Sequence, residues 1–313
     1  MPNKSQLTQL IKEQTIAAGF HKVGIAAAKS LEKSTYLEKW LKLNRHGAMS
    51  WMANNLDKRK DVTKLYPDAQ SVISVGHNYY TRHRHSNDPA KGKISRYAWG
   101  KDYHKIIKKK LKNLLKEIQK MDPTIEGRIF VDTAPIQDKL WAQAGGIGWQ
   151  GKNTNIITRD MGSWIFLGEI IINKELEYDQ PAIDYCGDCS ACIDACPTKA
   201  LEPYKLDATK CLSYLTIEYW DQPIPEKYAV KMHNWIFGCD ICQDVCPWNK
   251  FAVETDEEAY QPGEGNAAPD LDELNQLSED QFKKRFGKSP VYRAKYKNFM
   301  RNVRTVIKNI NPD

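Results

Sequence analysis

The sequence predicts an α/β domain followed by a small cysteine-bound module and a short helical tail. Three observations carry this: helices and apolar strands alternate over the first 180 residues, all eight cysteines fall between Cys186 and Cys246, and the residues beyond 251 pass from an acidic stretch into basic helical periodicity. The units are placed at 1–180, 181–250 and 251–313, a length that accommodates one large core and a smaller module.

Leu7, Leu10, Ile11 and Ala18, then Leu37, Trp40 and Leu41, recur at helical spacing, so the first fifty residues read as amphipathic helices. Ser71-Val72-Ile73-Ser74-Val75-Gly76 is a short β-branched strand. Residues 103–120 form a Lys-rich helix with Ile106, Ile107, Leu111, Leu114 and Leu115 on its buried side. Arg128-Ile129-Phe130-Val131 is a second strand, ending in the turn Asp132-Thr133-Ala134-Pro135. Residues 137–144 are helical, Asn155-Ile156-Ile157 is strand-like and 164–172 is a long apolar strand, which completes the alternation that argues for α/β. Beyond Glu254, Asp256, Glu257 and Glu258 a Pro262-Gly263 linker leads into the basic helices.

Eight cysteines in a chain whose first residues carry no apolar h-region and no twin arginine point to metal ligation rather than a disulfide framework. A soluble, cytoplasmic, monomeric protein without a membrane span is expected. Cys186-x-x-Cys189-x-x-Cys192-x-x-x-Cys196-Pro197 has the spacing of bacterial ferredoxins, in which three cysteines hold one [4Fe-4S] cluster and the fourth reaches the other. Cys239-x-x-Cys242-x-x-x-Cys246-Pro247 repeats the pattern with one cysteine fewer, and Cys211 is left to supply it. The crossing rule assigns Cys186, Cys189, Cys192 and Cys246 to one cluster and Cys196, Cys211, Cys239 and Cys242 to the other. Two four-cysteine zinc sites are the competing reading, but a third cysteine so close in sequence and the Cys-Pro endings are not zinc-ribbon features. Such clusters pass single electrons, so an acceptor is required.

Gly146-Ile147-Gly148-Trp149-Gln150-Gly151-Lys152 fits two phosphate-loop patterns, yet helix precedes it and strand follows, the reverse of the order those loops need. It is either a tight connection or a place where backbone approaches a planar cofactor. Asp132, at a predicted strand end, is either a functional carboxylate or a helix N-cap. Asp102-Tyr103-His104 opens like a cobalt-histidine motif, but Ile107 stands where that motif needs glycine, so His104 is expected on the helix surface.

The formal charge of +7 permits nucleic-acid binding without requiring it. Lys101, Lys105, Lys108, Lys109, Lys110, Lys112, Lys116 and Lys120 ride one helix. Lys283, Lys284, Arg285, Lys288, Arg293, Lys295, Lys297, Arg301, Arg304 and Lys308 crowd the tail, interleaved with Phe282, Phe286, Tyr292, Tyr296 and Phe299. Each run is either a solvated face or a phosphate-binding surface, and two together favour a nucleic-acid backbone.

The blocks Gly47-Ala48-Met49-Ser50-Trp51-Met52, Ser95-Arg96-Tyr97-Ala98-Trp99-Gly100, Val131-Asp132-Thr133-Ala134-Pro135, Gly148-Trp149-Gln150-Gly151-Lys152-Asn153 and Cys211-Leu212-Ser213-Tyr214-Leu215, together with the ferredoxin cysteines, resemble the epoxyqueuosine reductase family. The resemblance implies a nitroreductase-like α+β domain that holds cobalamin without a histidine beneath the cobalt, two [4Fe-4S] clusters fed by an external low-potential electron donor, and tRNA carrying epoxyqueuosine at the wobble position as substrate. It makes Asp132 the proton donor, which would need a carboxyl pKa raised by burial. It places cobalamin contacts at Arg59, Arg96, Tyr97, Asp132, Asn155, Ile156 and Ser213, and makes the Gly-rich loop a wall of the corrin site. Family members commonly continue into a helical-repeat region, whereas the tail here has room for a few helices. A reductive dehalogenase would share the cofactors, but it usually carries an export signal.

Overall fold

The computed structural model describes residues 2–311, so Asp313 at the end of the basic tail lies outside the described residues. Helix α1 (Lys4–Ala17) opens with a capping box between Asn3 and Gln6, each side chain accepting from the other's backbone N–H. Leu7 and Ile11 are buried on it, whereas Leu10 faces solvent. The helices expected through the first fifty residues are interrupted by a strand, β1 (Lys22–Ala27). Gly19, at φ +84°, ends α1, and the short apolar run that follows has no periodicity that separates strand from helix. Gly24 is required in that strand because a Cβ would lie 2.0 Å from the Gly145 carbonyl oxygen.

Three further strands, β2 (Ser71–Asn78), β3 (Gly127–Phe130) and β4 (Ile165–Ile172), join β1 in one sheet of order β1-β2-β4-β3. Every pairing is antiparallel. The α/β expectation is met in its α+β form, and the strand-end rule for parallel sheets therefore does not account for Asp132.

The period-two alternation of β4 sends Phe166, Ile170 and Ile172 to one face, where they pack with Ile107, Leu111 and Leu114 of α2 (Tyr103–Met121) and with Leu7 and Ile11. Ile165 and Ile171 face the other way, toward Trp141 and Ala142 of α3 (Asp138–Ala144). Glu169 shares that second face and is fully buried.

The largest core joins residues from all three sequence segments. Ile94 and Trp99 meet Leu212 and Leu215 of α4 (Leu212–Ile217), Ile236 and Phe237 of β5 (Trp235–Phe237), Phe282 and Phe286 of α5 (Glu279–Phe286), and Phe299 and Val303 of α6 (Lys295–Ile310). Two polar residues of α6 tie this junction. Asn302, fully buried, donates to the Thr216 and Ile236 carbonyls at 2.8 and 2.9 Å. The Arg301 guanidinium donates to the carbonyls of Leu215, Tyr219 and Gln222.

Candidate active site

The eight cysteines are all free thiols and sort into two groups. Cys186, Cys189, Cys192 and Cys246 line a single cavity with Lys152, Asn153, Ile157 and Trp248. Burial, then the nearby thiols of Cys246, Cys186 and Cys189, push Cys192 up to about 11. In the second group burial raises Cys239 and Cys242 strongly, with Cys211 adding to both and Cys196 acting on Cys211 and Cys242. Thiols packed against one another with their ionised form disfavoured are a donor set that fits a positively charged iron cluster, which stabilises the thiolates. Cys192 also bears on Cys242, so the two groups are neighbours.

The Gly-rich loop serves the first group. Trp149 Nε1–H points at Cys186 Sγ at 3.5 Å, and Lys152 Nζ donates to the carbonyls of Gly187 and Cys189 at 2.5 and 3.0 Å. Asn153 Nδ2 reaches across to the Cys242 carbonyl at 3.2 Å. The glycines make room for the protein itself: a Cβ on Gly148 would lie 2.3 Å from the Ile157 carbonyl oxygen, and one on Gly151 would lie 2.4 Å from the Ile157 side chain. These contacts support the tight-connection reading of the glycines.

Asp132 follows β3 in a three-residue turn closed by the Thr133 N–H on the Val131 carbonyl at 2.5 Å, with φ +53°, a strained conformation for a residue with a side chain. Its Oδ2 accepts from the Tyr103 hydroxyl at 2.9 Å and from His104 Nε2 at 3.0 Å. His104 Nδ1 lies 2.7 Å from Asp102 Oδ1, so both ring nitrogens are engaged and the residue is a bridge between two carboxylates, not the expected surface histidine. Burial alone would lower His104, but the hydrogen bonds to Asp102 and Asp132 carry it to about 9. Burial likewise opposes ionisation of Asp132, yet the His104 bond and charge hold its carboxyl below the usual range. The expectation of a raised Asp132 is thus reversed. At neutral pH the proton resides on His104, and Asp132 is a carboxylate hydrogen-bonded to it.

Charged and polar groups from several elements surround Asp132. Arg59 from one side, Tyr97 from another and Arg293 from the tail all feel the Asp132 charge. Arg293 is held by a bidentate pair with Glu218, both contacts at 3.0 Å. Lys139 donates to the Thr154 carbonyl and Asn155 Oδ1 at 2.9 and 3.1 Å, and its ammonium lies in the field of Cys242, Cys211, Asp138 and Asp132 at once. It therefore stands between the second thiol group and the acid site, a position that no local sequence pattern announced.

Comparison with known proteins places this arrangement. The family model described as epoxyqueuosine reductase QueG, DUF1730, matches residues 59–133, and that of the 4Fe-4S double cluster binding domain matches residues 185–249. An epoxyqueuosine reductase from Leadbetterella byssophila is 49% identical, covering 94% of this chain and 96% of its own. One from Synechocystis is 46% identical, covering 89% and 96%. The chain belongs to the epoxyqueuosine reductase family. The solved structures agree: an epoxyqueuosine reductase with a tRNA-Tyr epoxyqueuosine-modified stem loop has TM-score 0.89 at 31% identity, covering 97% of this chain and 81% of that one. The Bacillus subtilis epoxyqueuosine reductase, whose catalytic aspartate loop is swung out of the active site, has TM-score 0.86 at 29% identity, covering 97% and 82%.

Of the cofactor contacts expected from the resemblance to the epoxyqueuosine reductase family, Arg59 and Tyr97 lie near Asp132, Asn155 is joined to that neighbourhood through Lys139, and Ser213 is two residues beyond Cys211. The side chains of the other two have protein partners. The Arg96 guanidinium is buried, donating to the Thr81 and His83 carbonyls at 3.2 and 2.6 Å and lying over the Trp99 ring. Ile156 is core, packed with Ala142, Ile147 and Ile165. The basic surfaces also divide. Lys105, Lys108, Lys109, Lys112 and Lys116 are exposed on α2, whereas Phe282, Phe286 and Phe299 of the tail are buried and offer no stacking platform, and Arg301 is spent on backbone carbonyls. No helix among the described residues is long and apolar enough to cross a membrane.

Proposed function

We propose that the chain reduces the epoxide of epoxyqueuosine, at the wobble position of tRNA, to the alkene of queuosine, the last step of queuosine biosynthesis, as a cytoplasmic monomer fed by an external low-potential electron donor. The observation that carries the reading is the His104–Asp132 pair, with Lys139 in the field of both Asp132 and the second cysteine group, in a chain of this family. The proposed ligands are Cys186, Cys189, Cys192 and Cys246 for one [4Fe-4S] cluster and Cys196, Cys211, Cys239 and Cys242 for the other, which together supply single electrons.

Cobalamin fits beside Asp132 by the chemistry of the side chains there: the Tyr97 phenol near Asp132 and the Ser213 hydroxyl, two residues past Cys211, make no hydrogen bond among the described residues, and both suit the amide fringe of a corrin. Arg59, Tyr97, Asn155 and Ser213 would hold it, and it would supply a strongly reducing centre for opening the epoxide. The chain's own part is proton delivery. His104 Nε2 holds a proton against Asp132 Oδ2, and Tyr103 fixes that carboxylate from the other side. As charge develops on the departing oxygen, the proton moves from His104 through Asp132 to it. The phosphates of a stem loop would meet the exposed lysines of α2.

The test is anaerobic purification with iron, sulfide and cobalamin supplied, then nucleoside mass spectrometry of epoxyqueuosine tRNA under a strong reductant. Queuosine formed by the wild type and lost in Asp132→Ala is the expected result. Conversion by neither protein, with both cofactors bound, would overturn the reading.

A further inference from the structure

Turning an epoxide into an alkene and water breaks two C–O bonds, forms one C=C bond and consumes two electrons and two protons. His104 holds one proton. Resting on the reaction proposed above, a second proton source close to Asp132 is required, and the sheet provides one.

Glu169 sits in the middle of β4, paired with Ser74 of β2 and Phe130 of β3, so its side chain leaves the sheet two residues from Asp132 on the face that α3 covers. Asp138, the first residue of α3, lies over it. Glu169 is fully buried, and among the described residues no N–H or O–H donor reaches either of its oxygens or Asp138 Oδ1. Each carboxyl lies within hydrogen-bond reach of the other, and that of Asp138 also meets its own backbone N–H. Two acceptors placed together out of water are satisfied only by a proton between them, because two buried like charges in contact cannot both ionise.

We propose that Asp138 and Glu169 form a proton-sharing carboxyl pair that holds the second proton of the reduction and returns it, by way of Asp132, to the His104 site. Asp132 is the charge that bears on both carboxyls. The other groups facing the pair are Lys139, which favours ionisation of Asp138, Arg59 and the Tyr103 phenol. Burial outweighs Lys139 and raises both carboxyls above the ordinary carboxyl range, so the pair is loaded at neutral pH. In the balanced step the two electrons arrive singly from the low-potential donor through the clusters. The first proton comes from His104 and the second from the carboxyl pair, and both end on the departing oxygen as water.

The experiment is infrared difference spectroscopy of the cluster-loaded protein without substrate, in H2O and D2O, on wild type, Glu169→Gln and Asp138→Asn. Single-turnover conversion of epoxyqueuosine tRNA across pH follows, with Asp138→Glu as the conservative variant. A protonated-carboxyl band is expected at neutral pH in the wild type, absent from Glu169→Gln and shifted in Asp138→Asn, where buried Glu169 keeps its proton. Glu169→Gln should lose about 10- to 100-fold in rate, most at alkaline pH, with unchanged tRNA affinity, and Asp138→Glu should recover rate and band. Absence of the band from the wild type, its survival in Glu169→Gln, or a wild-type rate and pH profile in Glu169→Gln would overturn the proposal. Failure of the wild type to make queuosine would overturn the relay together with the reaction, whereas loss of the band alone would overturn the pair and leave the reaction standing.

Discussion

Replacing Asp132 by asparagine tests whether the catalytic proton resides on His104. In the wild type two carboxylates, Asp102 and Asp132, lift His104 from 6.5 to about 9 against the opposing effect of burial. If each contributes comparably, each accounts for more than half of the net rise, so removing Asp132 leaves His104 at or below about 7.5. At pH 6 His104 is then almost fully protonated in both proteins. At pH 8.5 it is about 75% protonated in the wild type and about 10% in the variant. Loss of the carboxylate that relays the proton should cost about 100- to 10,000-fold at every pH, and the changed protonation adds about eightfold at pH 8.5. The assay is single-turnover conversion of epoxyqueuosine tRNA by pre-reduced enzyme, quenched and read by nucleoside mass spectrometry at both pH values. A wild-type to variant ratio that stays constant between pH 6 and pH 8.5 would refute the assignment of the proton to His104.

The same pairing should be visible in stability. Because the folded His104 pKa is raised to about 9, its contribution is complete below the unfolded value near 6.5 and disappears as pH rises through about 9. The melting temperature of His104→Gln should therefore fall furthest below wild type near pH 6 and converge with it above about pH 9; a constant difference would argue against the carboxylate bridge. Cys246→Ser and Cys196→Ser should each halve the iron content and leave one paramagnetic cluster, the survivor differing between the two variants, and loss of the same cluster from both would contradict the crossed ligation. Lys152→Met should lower occupancy of the first cluster while sparing the second, since its ammonium ties the Gly187 and Cys189 carbonyls; equal loss of both would count against that role. Charge reversal at Lys105, Lys108 and Lys109 should weaken tRNA binding and flatten its salt dependence by about three contacts, and an unchanged slope would exclude the α2 face.

Much of the fold was legible because its signals are local. The helical spacing of Leu7 and Ile11, the α2 stripe of Ile107, Leu111 and Leu114, and the apolar run of β4 each report their element within one or two turns of chain. β1 was not legible, since a short run of small apolar residues has no period long enough to separate strand from helix, and the direction of the sheet is a property of connections rather than of any strand. Phe282, Phe286 and Phe299 alternate with lysines just as a stacking surface would, and only their burial shows them to be core.

The sequence by itself determined the ligand chemistry, because a cluster's coordination geometry imposes its spacing on a few neighbouring residues, and Cys186 to Cys192 carry that spacing openly. Tertiary structure alone decided where the protons are. Asp132 meets His104 across 28 residues and Asp138 meets Glu169 from the opposite side of a sheet strand. The ionisation of a carboxylate depends on the water it loses and the charges it gains, and both come from parts of the chain that no sequence neighbour specifies.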